Sequence, residues 1–303
     1  MYFSDDTIVY LNGQWVKASE ANTSVYGQSL HYGTSVFEGI RSYEIDGKGH
    51  LFRGHDHMER LIFSSHSIGI PFKMHAGELM NIAQELLERN HMTEAYIRPL
   101  VFSSPMMSLS FPEEAQFMMC CWPWQKLLGD QLTTLAISPY RKNHPYSCKM
   151  EAKVGGHYVN SILAATEAKS RGYADALQLD VEGHVAECSG ANFFFEKDGV
   201  LHTPQRGHIL PGITRDSVIQ LCKKLKIEVK QQRILPPEVF LADSAFLVGT
   251  AAEVSGVKSL DDHPFKKEWA ASLGYKLQKA YEEATRSNEH WLPMQPNISP
   301  LAP

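Results

Sequence analysis

The chain has 303 residues, 43% of them apolar and 21% charged, which supplies a sizeable core and excludes a disordered protein. Its 29 Lys and Arg against 34 Asp and Glu give a formal charge of −5 with both signs scattered, which argues against a nucleic-acid binder or a basic membrane-surface protein. At about 150 residues per domain the length predicts two domains, and the longest apolar run, residues 117–122, falls far short of the roughly 18 residues of a membrane span.

Residues 1–6 are acidic and lack the basic-then-apolar pattern of a signal peptide. Apolar stretches at 8–11 and 14–16 flank Asn12-Gly13, two residues tolerant of positive φ, and predict a tight hairpin. Residues 55–68 predict a helix, with Met58, Leu61, Ile62 and Ser65 at helical spacing and Gly69 at its end. Residues 76–89 predict a second, with Leu79, Ile82, Ala83 and Leu86 on one face. A strand follows at 95–102, where Pro99 denies a ladder donor and so marks an edge or a bulge. The pattern breaks at Trp122-Pro123-Trp124, and Leu128-Gly129-Asp130-Gln131 reads as a linker. The expected division is a small domain over 1–127, a linker over 128–132 and a large domain over 133–303. The second half opens with a strand at 133–138 and a helix at 158–171 stopped by Gly172. Short strands at 176–179, 185–186, 192–195 and 200–202 are joined by turns that demand antiparallel pairing. A helix at 214–225, a strand at 245–248 and a helix at 269–286 follow. The proline-rich tail from Trp291 is expected to be extended or poorly ordered. Each half reads as α+β, without the regular βαβ alternation of a dinucleotide-binding fold.

Several segments carry residues suited to chemistry. Lys153, in Glu151-Ala152-Lys153-Val154-Gly155-Gly156-His157-Tyr158, is by default a solvated charge. Its small apolar neighbours desolvate the ammonium and lower its pKa, which suits it to Schiff-base chemistry on a carbonyl. It precedes the glycines, so this is not a P-loop. Glu187, between a strand end and a small-residue turn, is either an ordinary edge carboxylate or the partner of a protonated heteroaromatic nitrogen. Leu210-Pro211-Gly212-Ile213-Thr214-Arg215-Asp216 turns directly into a helix, as a plain cap or as an anion site for phosphate. Gly249-Thr250-Ala251-Ala252-Glu253 leaves backbone donors uncovered for a second anion. Tyr96 and Arg98 face the same side of their strand, where the Arg serves a structural ion pair or grips a carboxylate with two prongs. His55 and His57 share no helix face and nothing completes a ligand set, so no metal is expected. Five cysteines, an odd number without a CxxC pair, fit a reducing cytoplasm.

Taken in order, these pieces resemble one family, the class IV, fold-type IV pyridoxal phosphate enzymes, and among them the branched-chain amino acid aminotransferases. The resemblance runs from Val9 to Val257. It also rests on His31-Tyr32-Gly33-Thr34-Ser35-Val36-Phe37-Glu38-Gly39-Ile40-Arg41, His57-Met58-Glu59-Arg60-Leu61 and Tyr96-Ile97-Arg98-Pro99-Leu100. It implies a two-domain α+β fold: a smaller N-terminal α/β sandwich domain and a larger C-terminal domain with a pseudo-barrel of mostly antiparallel strands. It implies pyridoxal 5'-phosphate as cofactor and transamination of leucine, isoleucine and valine with 2-oxoglutarate. By the same resemblance Lys153 binds the cofactor aldehyde and moves the substrate proton, Glu187 pairs with the pyridine nitrogen, and Tyr158 bonds the phenolic oxygen. Arg60, Thr214 with the Ile213 backbone, and Thr250 hold the phosphate. Thr250 and Ala251 receive the substrate carboxylate, while Phe37, Gly39, Tyr96 and Trp124 line the apolar pocket. Tyr32 reaches the neighbouring subunit's site, which implies a homodimer. Arg98 is expected to offer its charge to the glutamate or 2-oxoglutarate carboxylate at the pocket edge.

The chain departs from the family pattern at the 103–111 loop, at Leu127, at His157 and Ala191 in place of common Asn and Glu, and after Val257, where a glycine-rich segment is missing. These departures bear on substrate preference and the lid. Competing readings are an aminodeoxychorismate lyase-like enzyme, a D-amino acid or amine transaminase, and a non-catalytic cofactor-binding protein.

Overall fold

The computed structural model describes residues 3–124, 131–287 and 291–294. Leu127 and linker positions 128–130 lie outside the described residues. The chain divides into two compact units, one of residues 1–125 with 152–157, the other of residues 126–151 with 158–303. The short segment carrying Lys153 thus belongs with the first unit.

The first unit contains β1 (Ile8–Leu11), β2 (Gln14–Lys17), α1 (Gln28–Tyr32), β3 (Ser35–Phe37), β4 (Ile40–Ile45), β5 (Lys48–Leu51), α2 (Gly54–Ser67), α3 (Ala76–Arg89), β6 (Ala95–Ser103) and β7 (Ala115–Pro123). The strands form one sheet in the order β2-β1-β7-β6-β4-β5, with β3 also paired to β6. Asn12 and Gly13 turn the first hairpin at positive φ, 48° and 89°, the conformation a two-residue turn needs. Alternation along β6 sorts its side chains. Ile97 and Val101 join a core with Met58 and Leu61 of α2 and Leu79, Ala83 and Leu86 of α3. Burial of each such leucine contributes roughly 1.5–3 kcal/mol.

Pro99 corrects an expectation. It lies on a central strand, paired with Met119 of β7 on one side. On the other side β4 pairs with residues 95–97 and β3 with residues 100–102, so Pro99 falls at the break between them. Its carbonyl accepts from Glu38 N at 3.0 Å there, and its missing N–H faces the same break, where no ladder bond is lost.

The second unit contains β8 (Thr133–Ile137), α4 (Tyr158–Ser170), β9 (Asp175–Leu179), β10 (Val185–Cys188), β11 (Asn192–Lys197), β12 (Val200–Pro204), α5 (Ile213–Lys224), β13 (Val229–Gln232), α6 (Pro236–Phe240), β14 (Ser244–Gly249), β15 (Glu253–Leu260), β16 (His263–Pro264) and α7 (Leu273–Thr285). Its sheet runs β10-β9-β8-β15-β14-β11-β12-β13, with β16 on β15. Antiparallel pairs predominate among the described strands, and β8–β9, β8–β15 and β12–β13 are parallel. Small residues let α4 lie close to the sheet: Ala164 and Ala168 meet Ala136 and Ala176. Phe193 and Phe195 enter one core, and Phe194 stacks on Phe246 at 5.1 Å.

The expected helix over 269–286 is interrupted. Residues 269–271 form a separate 3-10 turn, and Ser272 caps α7 by accepting from Tyr275 N at 3.1 Å. Buried Glu196 anchors this junction, accepting from Leu273 N at 2.9 Å, Ser244 Oγ at 3.0 Å and Lys267 Nζ at 2.5 Å. The described part of the tail is tethered: Gln220 Oε1 accepts from Leu292 N at 3.1 Å and its Nε2 donates to Leu292 O at 3.0 Å. No helix among the described residues is long and apolar enough to cross a membrane.

Candidate active site

In the first unit, the backbone of the 152–157 segment joins β3. Val154 bridges Val36, Phe37 N donates to Lys153 O at 3.1 Å, and Lys153 N donates to Ser64 Oγ at 3.0 Å. The ammonium of Lys153 lies 4.8 Å over the Phe37 ring. Burial first, and then the Arg60 charge, bring its pKa down from 10.5 to about 8, with Glu38 opposing. The expected depression is present, and part of its cause is a charge that local sequence does not reveal.

Around it stands an aromatic wall. Arg98 lies 4.7 Å over Phe37 and 5.4 Å over Tyr96, and its Nη2 donates to Tyr96 Oη at 3.5 Å. Its Nε is buried with no hydrogen-bond partner among the described residues. Tyr96 packs against Trp122 and Trp124, with ring centroids at 5.1 and 4.9 Å. Gly39 is required by this packing: a Cβ there would fall 1.8 Å from Tyr96 Oη. Tyr32, at the end of α1, is half exposed and donates from Oη to Met107 O at 3.4 Å. The altered 103–111 loop is tied back by Gln28, whose Nε2 donates to Ser108 O and, at 2.8 Å, to Ser110 O.

Arg60 makes a partnership the sequence did not reveal. It is buried and clasps Glu38 through Nε at 2.6 Å and Nη2 at 2.9 Å. His57 donates from Nδ1 to the same carboxylate at 2.7 Å. The i, i+3 spacing of His57 and Arg60 was the available signal, since it puts both on one face of α2.

The second unit carries the remaining candidates. Glu187 is buried, with Oε1 2.9 Å from Lys142 Nζ. Its Oε2 accepts from Asn192 Nδ2 at 3.0 Å and Leu210 N at 3.2 Å. Lys142, also buried, is a second residue that sequence reasoning missed. Burial lowers its pKa, but the Glu187 charge and hydrogen bond more than offset that and hold the amine above its usual range. Tyr158 opens α4, half-buried, and its field also favours the Lys142 cation. Ile213 and Thr214 are buried in the first turn of α5. Gly212, at the N-cap, has no side chain to occupy the donors of that turn. The helix is locked by Arg215, which donates to Pro204 O and Gln231 Oε1, both at 2.9 Å. Thr250 and Ala251 are half-buried in the turn between β14 and β15.

Residues 35–260 match the family described as amino-transferase class IV. The chain is 37% identical over 281 residues to a branched-chain-amino-acid aminotransferase of Salmonella typhimurium, covering 90% of this chain and 91% of the relative. Identity to the enzyme of that name from Escherichia coli K12 is 36%, with the same coverage. The fold is shared with a branched-chain aminotransferase of Thermoproteus uzoniensis solved with norvaline, at a TM-score of 0.89 and 36% identity over 92% of this chain and 94% of that one. It is also shared with the branched-chain amino acid aminotransferase of Thermobaculum terrenum in its PLP-bound holo-form, at a TM-score of 0.87 and 30% identity over 93% of this chain and 94% of that one. With a matching profile across most of its length and relatives of this identity and coverage, the chain belongs to the class IV aminotransferases.

Proposed function

We propose that this chain transfers the amino group of leucine, isoleucine and valine to 2-oxoglutarate, with pyridoxal 5'-phosphate as cofactor, giving branched-chain 2-oxo acids and L-glutamate. The observation that carries this reading is the Lys153 amine, desolvated against Phe37 and with a pKa near the working range, at about 8. The chemistry of the donor set fits the cofactor. The first unit offers an amine for an aldehyde and the Arg60 cation for a phosphate. The second offers a buried carboxylate for a ring nitrogen and a helix start without a side-chain cap for a phosphate.

The cofactor supplies an electron sink for charge left at the substrate Cα. Lys153 would hold the cofactor through its aldehyde and, once displaced by the substrate amine, would carry the proton from the substrate Cα, a base already in position. Glu187 keeps a proton at the ring nitrogen, and Lys142, Asn192 and Leu210 N hold that carboxylate in place. Tyr158 bonds the phenolic oxygen. Arg60, Thr214, the Ile213 backbone and Thr250 hold the phosphate, and Thr250 with Ala251 receives the substrate carboxylate. Phe37, Gly39, Tyr96 and Trp124 line the side-chain pocket. Arg98 has no carboxylate partner among the described residues, which supports its role as receiver of the glutamate side chain. Arg98→Leu then weakens the glutamate half-reaction more than the leucine one, and equal weakening would refute that role.

The active unit is a homodimer in which Tyr32 reaches the neighbouring subunit's site. Exposed apolar side chains at Val25, Tyr26 and Leu30 beside it support this. Five free cysteines support a cytoplasmic location, and a linker over 128–132 separates a small domain over 1–127 from a large one over 133–303, with residues 152–157 grouping with the small one. The test is a half-reaction screen: single L-amino acids are added to the yellow holoprotein and the visible cofactor band is followed. Leucine, isoleucine and valine discharge it, and 2-oxoglutarate restores it. If all three fail while glutamate works, the branched-chain assignment is wrong.

A further inference from the structure

Glu38 and His57 have no role in the reaction as assigned above, yet both are buried, 0% and 2% exposed. Glu38 occupies the corner between β3 and β4, where its N donates to Pro99 O at 3.0 Å. His57 and Arg60 approach it from one face of α2. The Arg60 guanidinium meets the carboxylate side-on, Nε to Oε1 at 2.6 Å and Nη2 to Oε2 at 2.9 Å, and two parallel N–H···O bonds fix the plane of the fork. His57 Nδ1 adds a third bond, to Oε2 at 2.7 Å.

The charges of this cluster are defined. Burial favours a neutral Glu38, but Arg60 and then His57 hold its carboxyl well below the usual range. Burial depresses the His57 pKa below 6.5, with Glu38 opposing, so the imidazole is a neutral Nδ1–H donor at pH 7. The cluster holds one anion, one cation and one neutral donor.

We propose that His57 and Glu38 are positioning residues: His57 locks the Glu38 carboxylate, and Glu38 holds the Arg60 guanidinium in one plane for the cofactor phosphate. This rests on the reading that Arg60 holds that phosphate. Without the lock, Arg60 is a long side chain with many rotamers, and its ordering cost falls on cofactor binding.

The test compares two ligands for the apoprotein, pyridoxal 5'-phosphate and pyridoxal, which share ring and aldehyde and differ in the phosphate. Both affinities are measured by equilibrium dialysis and by quenching of tryptophan fluorescence. The readout is the preference for the phosphorylated form. Arg60→Met lowers that preference by about tenfold or more, the ratio carried by one charge-assisted hydrogen bond. His57→Leu and His57→Gln lower it by about tenfold with pyridoxal affinity unchanged, while His57→Asn, whose amide N–H replaces Nδ1, stays within about twofold of wild type. The proposal is overturned if Arg60→Met loses the preference and His57→Leu keeps it, or if His57→Leu weakens both ligands equally. If Arg60→Met itself keeps the preference, the phosphate reading fails and the proposal falls with it. Should His57→Leu not fold, as judged by circular dichroism, the Asn and Gln pair decides: equal behaviour of the two overturns the proposal.

Discussion

Replacing Lys142 with methionine removes the cation that faces Glu187 while keeping an apolar stem of similar length. The two charges stand 2.9 Å apart and are both buried. Their attraction is about 6 kcal/mol at an effective dielectric of roughly 20, set against several kcal/mol to desolvate each ion. The intact pair therefore contributes little net stability. Breaking it is different, because an ionised carboxylate is left buried, at a typical cost of about 3–5 kcal/mol. Asn192 Nδ2 and Leu210 N still donate to Oε2, which places the expected loss at the lower end, about 3 kcal/mol. The assay is urea denaturation of the apoprotein at pH 7, followed by far-UV circular dichroism. Glu187→Gln in the Lys142→Met background, which removes the stranded charge and keeps an acceptor, restores about 2 kcal/mol of that loss. Because Glu187 raises the folded amine's pKa above the ordinary 10.5, the pair's contribution is complete below that value. It is lost as pH climbs through the higher folded value, so wild type and variant converge in strong alkali. A loss under about 1 kcal/mol for Lys142→Met, or no recovery in the double variant, would refute the reasoning.

Three further outcomes follow from the geometry. In the apoprotein Lys153 titrates near 8 instead of 10.5, so amine-labelling of that side chain by an arylating reagent, mapped by mass spectrometry, reaches half its maximum near pH 8. Its folded amine binds fewer protons than the unfolded one between 8 and 10.5, so this group makes the apoprotein more stable as pH rises across that window, and a labelling midpoint near 10.5 would contradict both statements. Gly39→Ala drives a methyl into Tyr96 Oη, and the contacts of Tyr96 with Trp122 and Trp124 resist its displacement. Leucine kcat/KM then drops by about tenfold or more, roughly 1.4 kcal/mol of transition-state binding, with circular dichroism unchanged, and an unaltered kcat/KM would show that this wall is not the pocket. Burial pushes the thiols of Cys120, Cys121 and Cys222 up to about 11, 12 and 12 and Cys188 well above its ordinary value. Burial raises the Cys148 thiol as well, but the Lys142 charge opposes it, so at pH 8 a disulfide reagent modifies Cys148 before these four, and rapid loss of all five thiols together would contradict this.

Local chemistry made much of this molecule legible from its residues. Helical spacing over 55–68 and 76–89 placed α2 and α3 within a residue or two, Asn12-Gly13 turned its hairpin, and alternation on β6 put Tyr96 and Arg98 on one face. These signals act over a few residues, where covalent geometry and solvent exposure decide the outcome. The small apolar neighbours of Lys153 likewise announced a desolvated amine. What remained hidden depends on which distant segments meet. Pro99 looked like an edge or a bulge because only the tertiary sheet, with β3 and β4 stopping short of each other beside it, provides a central place that needs no donor. Ser272 split an apparently continuous helix because it serves as a cap, with Glu196 taking the Leu273 N–H.

Two ion clusters show the division most clearly. That Arg60 and Glu187 are charged was plain from the residues, but that Glu38 with His57 clasps the first and Lys142 faces the second was not. A charge carries no record of its partner along the chain. Its energy is set by distance and by the exclusion of water, and both quantities come into existence only when the sheet and helix faces have closed around it.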